Sequence, residues 1–437
     1  MQYFKKIVLN ILLSEDHKRL CANFISLTFL QGVNYLIPLI TFPYIVRVIG
    51  VENYGLLAFA SALNTYFLIL TDYGFNLSAT RKIAIYRNDK DKVIEIFSTV
   101  MTIQFTLMLI SFLLMLFIIT GFQAYRNDWE VYFLSFGIVI GQVFFPIWFF
   151  QGMEQMKYIT FLNIFMKCIF TLLIFIFVLQ EKDFYKVPML NTIGTLLTGF
   201  IAIILIKIKF DISFKFQPVS HIITELKDGW YIFTSRIFVS LYTTTNVFLL
   251  GLMTNNLVVG YYSIADRIIS ISCKLFSVIN QTVYPYMSRL RENSFHKFLI
   301  FFRRLIKAII CCSIFLFFIL YTFGDQIIYL LIKEEPNKCI NTIYLFLLFT
   351  VLTNPFGPLF TQTLLIFQMQ KEFNTIVKTT FLLNIILAPI FISLFSGEGL
   401  AFVTLISQIF VVLFCYIFIK KGFIHATFRS SRNTMDA

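Results

Sequence analysis

The chain has 437 residues, 58% of them hydrophobic and 14% charged, with 55 Phe and a net charge of +13; its mean hydropathy is +0.80. Soluble domains carry about 25% charged residues and split their apolar positions into helical or strand periods, so a water-soluble globular fold is excluded. One helical crossing of the hydrocarbon core takes about 20 apolar residues, so this length holds roughly a dozen crossings and no large catalytic domain outside the membrane.

The first apolar stretch, Ile7 to Leu13, ends in Ser14, Glu15 and Asp16 without a small-residue cleavage site and does not read as a cleavable signal. Phe4, Ile7, Val8, Ile11 and Leu12, with Lys5 and Lys6, fit a short amphipathic helix on the bilayer surface. Apolar runs then predict twelve crossings over 22–45, 54–75, 97–119, 130–150, 159–179, 187–206, 229–252, 257–285, 305–324, 339–368, 373–396 and 398–419. An even number places both termini on one side. The loops on that side, with the tails, hold 25 Lys and Arg, whereas the opposite loops hold five: Arg126, Lys182, Lys186, Lys333 and Lys338. Cytoplasmic loops are enriched in these cations, which predicts cytoplasmic termini. Six of the seven Cys lie in apolar runs with no metal-like or disulfide-like spacing, and they read as small apolar side chains.

Shifting the first half by 205 residues aligns Gly55-Leu-Leu-Ala-Phe-Ala60 with Gly260-Tyr-Tyr-Ser-Ile-Ala265, each opening the second helix of its half. Two parallel repeats of six crossings follow, related by an axis along the membrane normal. The expected division is an N-terminal six-helix bundle over 1–206, a cytoplasmic linker over 207–228 and a C-terminal six-helix bundle with its tail over 229–437. Facing bundles of this kind suit a central, alternately opened cavity.

No Gly-x-x-x-x-Gly-Lys-Ser/Thr loop is present to cradle a nucleotide, and the four His are too scattered for a His-Glu-x-x-His zinc site. An enzyme, a cofactor and a metal are therefore not expected. Six cations, Arg47, Lys167, Arg236, Arg267, Lys274 and Lys378, fall inside or at the edges of crossings. A charge at a helix centre costs about 2.5–3.5 kcal/mol on insertion scales, so such residues face a bundle interior or water. Arg267 and Lys274 are seven residues apart and share a helix face, which requires a counterion, Asp266 or an anionic ligand. These cations point to a hydrated cavity for a phosphate-bearing substrate, formed by Lys167, Lys274, Arg267, Arg236 and Arg47. Snorkelling of Arg47 and Arg236 and pairing of Arg267 with a carboxylate remain open, and Lys378 reads as an interface anchor. Asn23, Gln31 and Asn34 give the first crossing a polar face toward the same cavity, and the seventh has one in Thr234, Ser240, Thr243, Thr244 and Asn246. Pro38 and Pro43 should bend the first crossing, Pro285 the eighth, and Pro355 and Pro358 the tenth.

The stretches Phe42-Pro-Tyr-Ile-Val-Arg-Val-Ile-Gly-Val-Glu-Asn-Tyr-Gly55, Asp72-Tyr-Gly-Phe-Asn-Leu-Ser-Ala-Thr-Arg81, Trp148-Phe-Phe-Gln-Gly-Met-Glu154 and Tyr262-Ser-Ile-Ala-Asp-Arg267 resemble the Wzx-type O-antigen flippases of the polysaccharide transporter family. The resemblance implies an all-α integral membrane protein with the multidrug/oligosaccharidyl-lipid/polysaccharide (MOP) exporter fold. It further implies transfer of an undecaprenyl-diphosphate-linked oligosaccharide from the cytoplasmic to the periplasmic leaflet of a bacterial inner membrane. The expected partners are that substrate, membrane lipids, a polysaccharide polymerase and chain-length machinery, with no nucleic acid. The diphosphate is the anionic handle that the cations would hold, and Asp72 and Asp266 are the candidate ion-coupling carboxylates; Asp72 alternatively caps or pairs with Arg81.

Three competing readings have distinct sequence requirements. A multidrug antiporter of the same superfamily needs buried carboxylates, which residues 20–45 lack. A lipid II flippase is expected to have about two more crossings, and a glycan polymerase needs a long periplasmic loop.

Overall fold

The computed structural model describes residues 15–333 and 335–433; the side chains of 15–31, 33–36, 124, 231–232, 235–236, 238–243, 275, 278, 281 and 424–433 lie outside the description. All regular structure among the described residues is helical. In chain order the α-helices are α1 (Glu15–Asp72), α2 (Phe75–Tyr86), α3 (Lys90–Gly121), α4 (Gln123–Arg126), α5 (Trp129–Phe144), α6 (Ile147–Gly152), α7 (Met156–Phe177), α8 (Lys186–Phe210), α9 (Val219–Met253), α10 (Asn256–Asn293), α11 (Phe295–Ile332), α12 (Lys338–Phe349), α13 (Phe356–Ile366) and α14 (Gln370–Asn433). Short 3-10 turns precede α8 and join α12 to α13.

Polar residues punctuate the apolar runs where helices start. Asp89, Asn255, Ser294 and Asn337 each accept a hydrogen bond from a backbone N–H three residues on, capping α3, α10, α11 and α12. Inside the apolar helices, Thr99, Thr102, Thr106 and Ser111 donate their hydroxyls to the carbonyl four residues back, which satisfies them without an external partner. Eight helical stretches among the described residues are long and apolar enough to cross a membrane, against the twelve crossings expected. Two of the eight, Ile37–Tyr86 and Gln370–Phe423, are bent at residues with non-helical backbone: Gly50 (φ 80°, ψ 169°) and Ser396 (φ 54°, ψ −133°). α10 is not one of the eight, and Asp266, Arg267 and Lys274 stand among its apolar residues.

The chain forms two compact units. The first comprises Met1–Ile49 and Ala60–Ile237, the second Gly50–Phe59 and Phe238–Ala437. In the first, α5 packs on α8 and α2 on α6. Its core joins Phe75, Ala79 and Ile83 of α2 to Phe97 and Val100 of α3 and to Trp148, Phe149 and Phe150 of α6. In the second, α10 packs against α11, α12 and α13, and α14 lies on α12 and α13.

The ten residues 50–59 reach the second unit through a backbone contact. A Cβ built on Gly55 would fall 1.8 Å from the Asn256 carbonyl oxygen and 2.6 Å from the Gly260 nitrogen, and one on Gly260 would fall 2.2 Å from the Val51 carbonyl oxygen. The two six-residue stretches matched in the sequence therefore pack directly against each other at their glycines. Phe59 stacks on Phe248 nearby, with centroids 5.7 Å apart and planes 4° from parallel.

Candidate functional site

α10 carries polar side chains three or four positions apart at Asp266, Ser270, Lys274, Ser277 and Asn280, on a helix whose Val259, Tyr262, Ala265, Ile269, Cys273 and Phe276 are buried. This spacing makes a stripe along one helical face. The stripe meets the interruption between α12 and α13, where a 3-10 turn over Thr350–Leu352 leads to Asn354 and Pro355. Pro355 and Pro358 lack the N–H that a continuous helix would use, so the chain is interrupted there and carbonyls need other donors. Asn280, 1% exposed, supplies one: its Nδ2 donates to the Pro355 carbonyl at 3.1 Å.

Ser270, Lys274, Ser277, Asn280, Asn354 and Pro355 line a pocket of about 240 Å³ at this junction. Ser277 Oγ donates to the Lys274 carbonyl at 2.7 Å, while the buried Asn280 Oδ1 has no hydrogen-bond partner among the described residues. Leaving such a buried acceptor unpaired costs about 1–3 kcal/mol. At about 30 Å³ per water the space holds roughly eight waters. The space is too small for a whole oligosaccharide, and its polar lining comprises one ammonium, two amides and two hydroxyls.

Further along α10, Ser270 hydrogen-bonds to the half-buried Asp266, and Tyr54 lies within electrostatic reach of both Asp266 and Arg267. One turn before Asp266, Tyr262 shares a 3.0 Å hydrogen bond with Thr404, and Asn246 donates to Thr404 at 3.1 Å. Asn246, from the polar face read in the seventh crossing, thus joins a defined network. Ser270, Ser277 and Asn280 are not among the expected site residues, and Asn280 gains meaning only from the carbonyl it meets across the helix break.

The other described site residues expected from the sequence do not line this pocket. Lys167 is half-buried on α7 and Asp72 is half-buried at the end of α1, both in the first unit. Asp72 accepts a 2.5 Å hydrogen bond from Asn76, in the first turn of the adjoining α2. Arg47 and Lys378 are exposed. Arg236, Asn23, Gln31 and Asn34 fall outside the described side chains, as do Ser240 and Thr243.

Two of the quoted motifs form one packed knot in the first unit. Tyr73 (φ 44°) and Gly74 (φ 81°) turn the chain from α1 into α2. Tyr73 stacks on Phe233 with centroids 4.4 Å apart and donates its hydroxyl to the Leu226 carbonyl. Lys82 reaches Glu225 at 2.7 Å and Asp228 at 2.8 Å. Trp148, 1% exposed, donates its indole N–H to Gln104, and Thr80 donates to the Trp148 carbonyl. Arg87 and Glu154 close the knot with a 2.7 Å ion pair. These residues hold helix ends together.

The pattern of the family described as "Polysaccharide biosynthesis protein" matches residues 20–291, more than half of the chain and all four quoted motifs. The chain belongs to this family. A protein of Escherichia coli (strain K12) named "Putative O-antigen transporter" is 29% identical over 407 residues, 92% of this chain and 96% of that protein. Among solved structures, the lipid II flippase MurJ in an inward closed conformation superposes with a TM-score of 0.69 at 16% identity, covering 92% of this chain and 89% of that one. An inward-facing multidrug resistance MATE family transporter of the MOP superfamily gives 0.66 at 15% identity, covering 92% and 100%. At these identities the likeness is one of fold: an all-α membrane protein with the MOP-superfamily transporter architecture.

Proposed function

We propose that this protein is a flippase that carries undecaprenyl-diphosphate-linked O-antigen or related polysaccharide repeat units from the cytoplasmic to the periplasmic leaflet of a bacterial inner membrane. Family membership and the O-antigen transporter relative support the substrate class. The observation that carries the mechanism is the polar pocket on α10, lined by both Lys274 and the buried Asn280, in an apolar helical unit.

In this reading Lys274 and Arg267, two turns apart on one face, attract the diphosphate as it enters a cationic cavity to which Lys167, Arg236 and Arg47 also contribute. Asn280, Asn354 and the serines exchange hydrogen bonds with sugar hydroxyls or water while the lipid tail stays in the bilayer. Loading and release alternate between inward-open and outward-open states, with Asp266 and Asp72 as the carboxylates through which an ion gradient couples. The reading takes the two bent spans as two crossings each and adds α9 and α10, which gives twelve, with both termini in the cytoplasm.

Expression in a flippase-deleted strain, scored by surface glycan and by accumulation of the lipid-linked precursor, tests it. The wild-type chain should restore display with a matched glycan pathway, and K274Q and N280A should lower it at equal membrane abundance. Failure of the wild type with several matched pathways, combined with gained resistance to cationic drugs, would replace this reading with a multidrug antiporter.

A further inference from the structure

A second cavity lies within the second unit, away from the Lys274 pocket. It holds about 350 Å³ and is walled by Thr342 and Phe346 of α12 and by Phe391, Phe395, Glu398 and Phe402 of α14. The rings touch one another: centroids are 5.5 Å apart for Phe346–Phe402, 5.5 Å for Phe391–Phe402 and 6.2 Å for Phe391–Phe395. Glu398 is the one ionisable group in this wall. It is half-buried and, among the described residues, forms no ion pair.

The backbone puts the carboxylate there. Ser396 (φ 54°, ψ −133°) breaks α14 into two helical parts, and the turn folds tightly enough that a Cβ on Gly399 would fall 2.0 Å from the Phe391 carbonyl oxygen. Glu398 therefore sits at the joint between two long apolar segments. Leu394 and Phe395 beside it are 66% and 55% exposed, so the cavity gives onto an apolar outer surface.

A carboxylate beside aromatic faces selects a cation, and ring faces attract an ammonium within about 6 Å of their centroids. The rest of the wall is hydrocarbon and selects an alkyl chain. A free amine would leave the apolar part unfilled, and an anionic lipid would meet Glu398 with like charge. We propose that this cavity binds an amine-headed phospholipid, with its ammonium between Glu398 and the Phe rings and an acyl chain along Phe391 and Phe395. The site is independent of the glycan reading, since no residue is shared with the α10 pocket.

The test uses the purified full-length chain in detergent, with native mass spectrometry to count retained lipids and a thermal melt to read stabilisation. The probes are phosphatidylethanolamine, phosphatidylglycerol of the same chains, and tetraphenylphosphonium. Phosphatidylethanolamine should be retained about fivefold better than phosphatidylglycerol, a ratio within reach of one desolvated cation–π and carboxylate contact. E398Q should erase the difference, E398D should keep part of it, and T342F, which fills the cavity while keeping the carboxylate, should also erase it. An unchanged preference in E398Q and T342F overturns the proposal. So does stabilisation by tetraphenylphosphonium but not phosphatidylethanolamine, which would mark a drug site. Lipid-independent loss of stability in E398Q, with the preference intact in T342F, would make Glu398 a helix-terminal charge only and equally overturns it.

Discussion

Replacing Gly55 with Ala adds one methyl group where the helix backbone approaches the Asn256–Gly260 backbone closely. The added Cβ would lie 1.8 Å from the Asn256 carbonyl oxygen, whereas close C···O contacts in proteins sit at about 3.3 Å. The two segments must part by roughly 1.5 Å, and a gap of even 0.5–1 Å forfeits about a quarter to a half of each dispersion contact along the seam. Because both sides of the clash are backbone, no rotamer change relieves it, and overpacking of this kind costs about 1–3 kcal/mol. Against this, Ala gains about 0.5–1 kcal/mol over Gly in a helix. The net expectation is a loss of about 1–2 kcal/mol, read as a lower Tm in fixed detergent and lipid. Gly357 supplies the control: it is helical in α13 and a Cβ there would meet nothing within 4 Å, so G357A should raise Tm by the propensity gain alone. G260A, facing the Val51 carbonyl, should resemble G55A, and the double variant should lose less than the sum because one separation accommodates both methyls. A G55A protein that melts at or above the wild type, alongside a stabilised G357A, would refute the contact.

Other perturbations test the first unit. K82M should cost about 1–2 kcal/mol by stranding Glu225, whose side chain is 11% exposed, between the values for exposed and buried pairs; E225Q in the same chain should recover part of it in a double-mutant cycle. W148F removes the indole N–H and leaves the buried Gln104 oxygen without that donor, an expected loss of about 1–3 kcal/mol that Q104L should lessen. On the solvated linker, the Lys90 ammonium holds the Asp211 carboxyl below its usual range through a direct ion pair. The folded-state value is the depressed one, so this contribution is present above the ordinary Asp value of about 3.9 and is lost as pH falls through the folded-state value. The Tm gap between wild type and K90Q should accordingly stay level from neutral pH down to about pH 4 and close below it.

The helical layout was legible because membrane helices declare themselves through uninterrupted apolar runs and polar caps. The gap between the first two expected crossings contains Gly50, the last two meet at Ser396, and Pro355 and Pro358 mark the broken tenth crossing. Lys274 stood out because a cation in an apolar helix needs an aqueous or anionic neighbour. Asn280 did not, since an asparagine in a membrane helix is informative only with the carbonyl or cavity it faces, and that comes from α12 and α13, some 75 residues away. The motifs at Asp72–Arg81 and Trp148–Glu154 were the easiest to recognise, and their Tyr73, Thr80 and Trp148 are held by side-chain, backbone and stacking contacts that sequence spacing cannot reveal. The short repeat at Gly55 and Gly260 looked like a faint trace of duplication, and its physical meaning is a contact requiring glycine on both sides.

The placement of residues 50–59 in the second unit also sets a timetable for biosynthesis. Their partners at Asn256–Gly260 follow about 200 residues later, so at roughly 5–20 residues per second Gly55 waits about 10–40 s before its contact can form. During that interval a glycine-bearing helix end has no partner in the nascent chain. Severing the chain between Phe210 and Val219 would leave this decapeptide on the wrong fragment, so the C-terminal piece made alone should remain incomplete until the N-terminal piece is co-expressed.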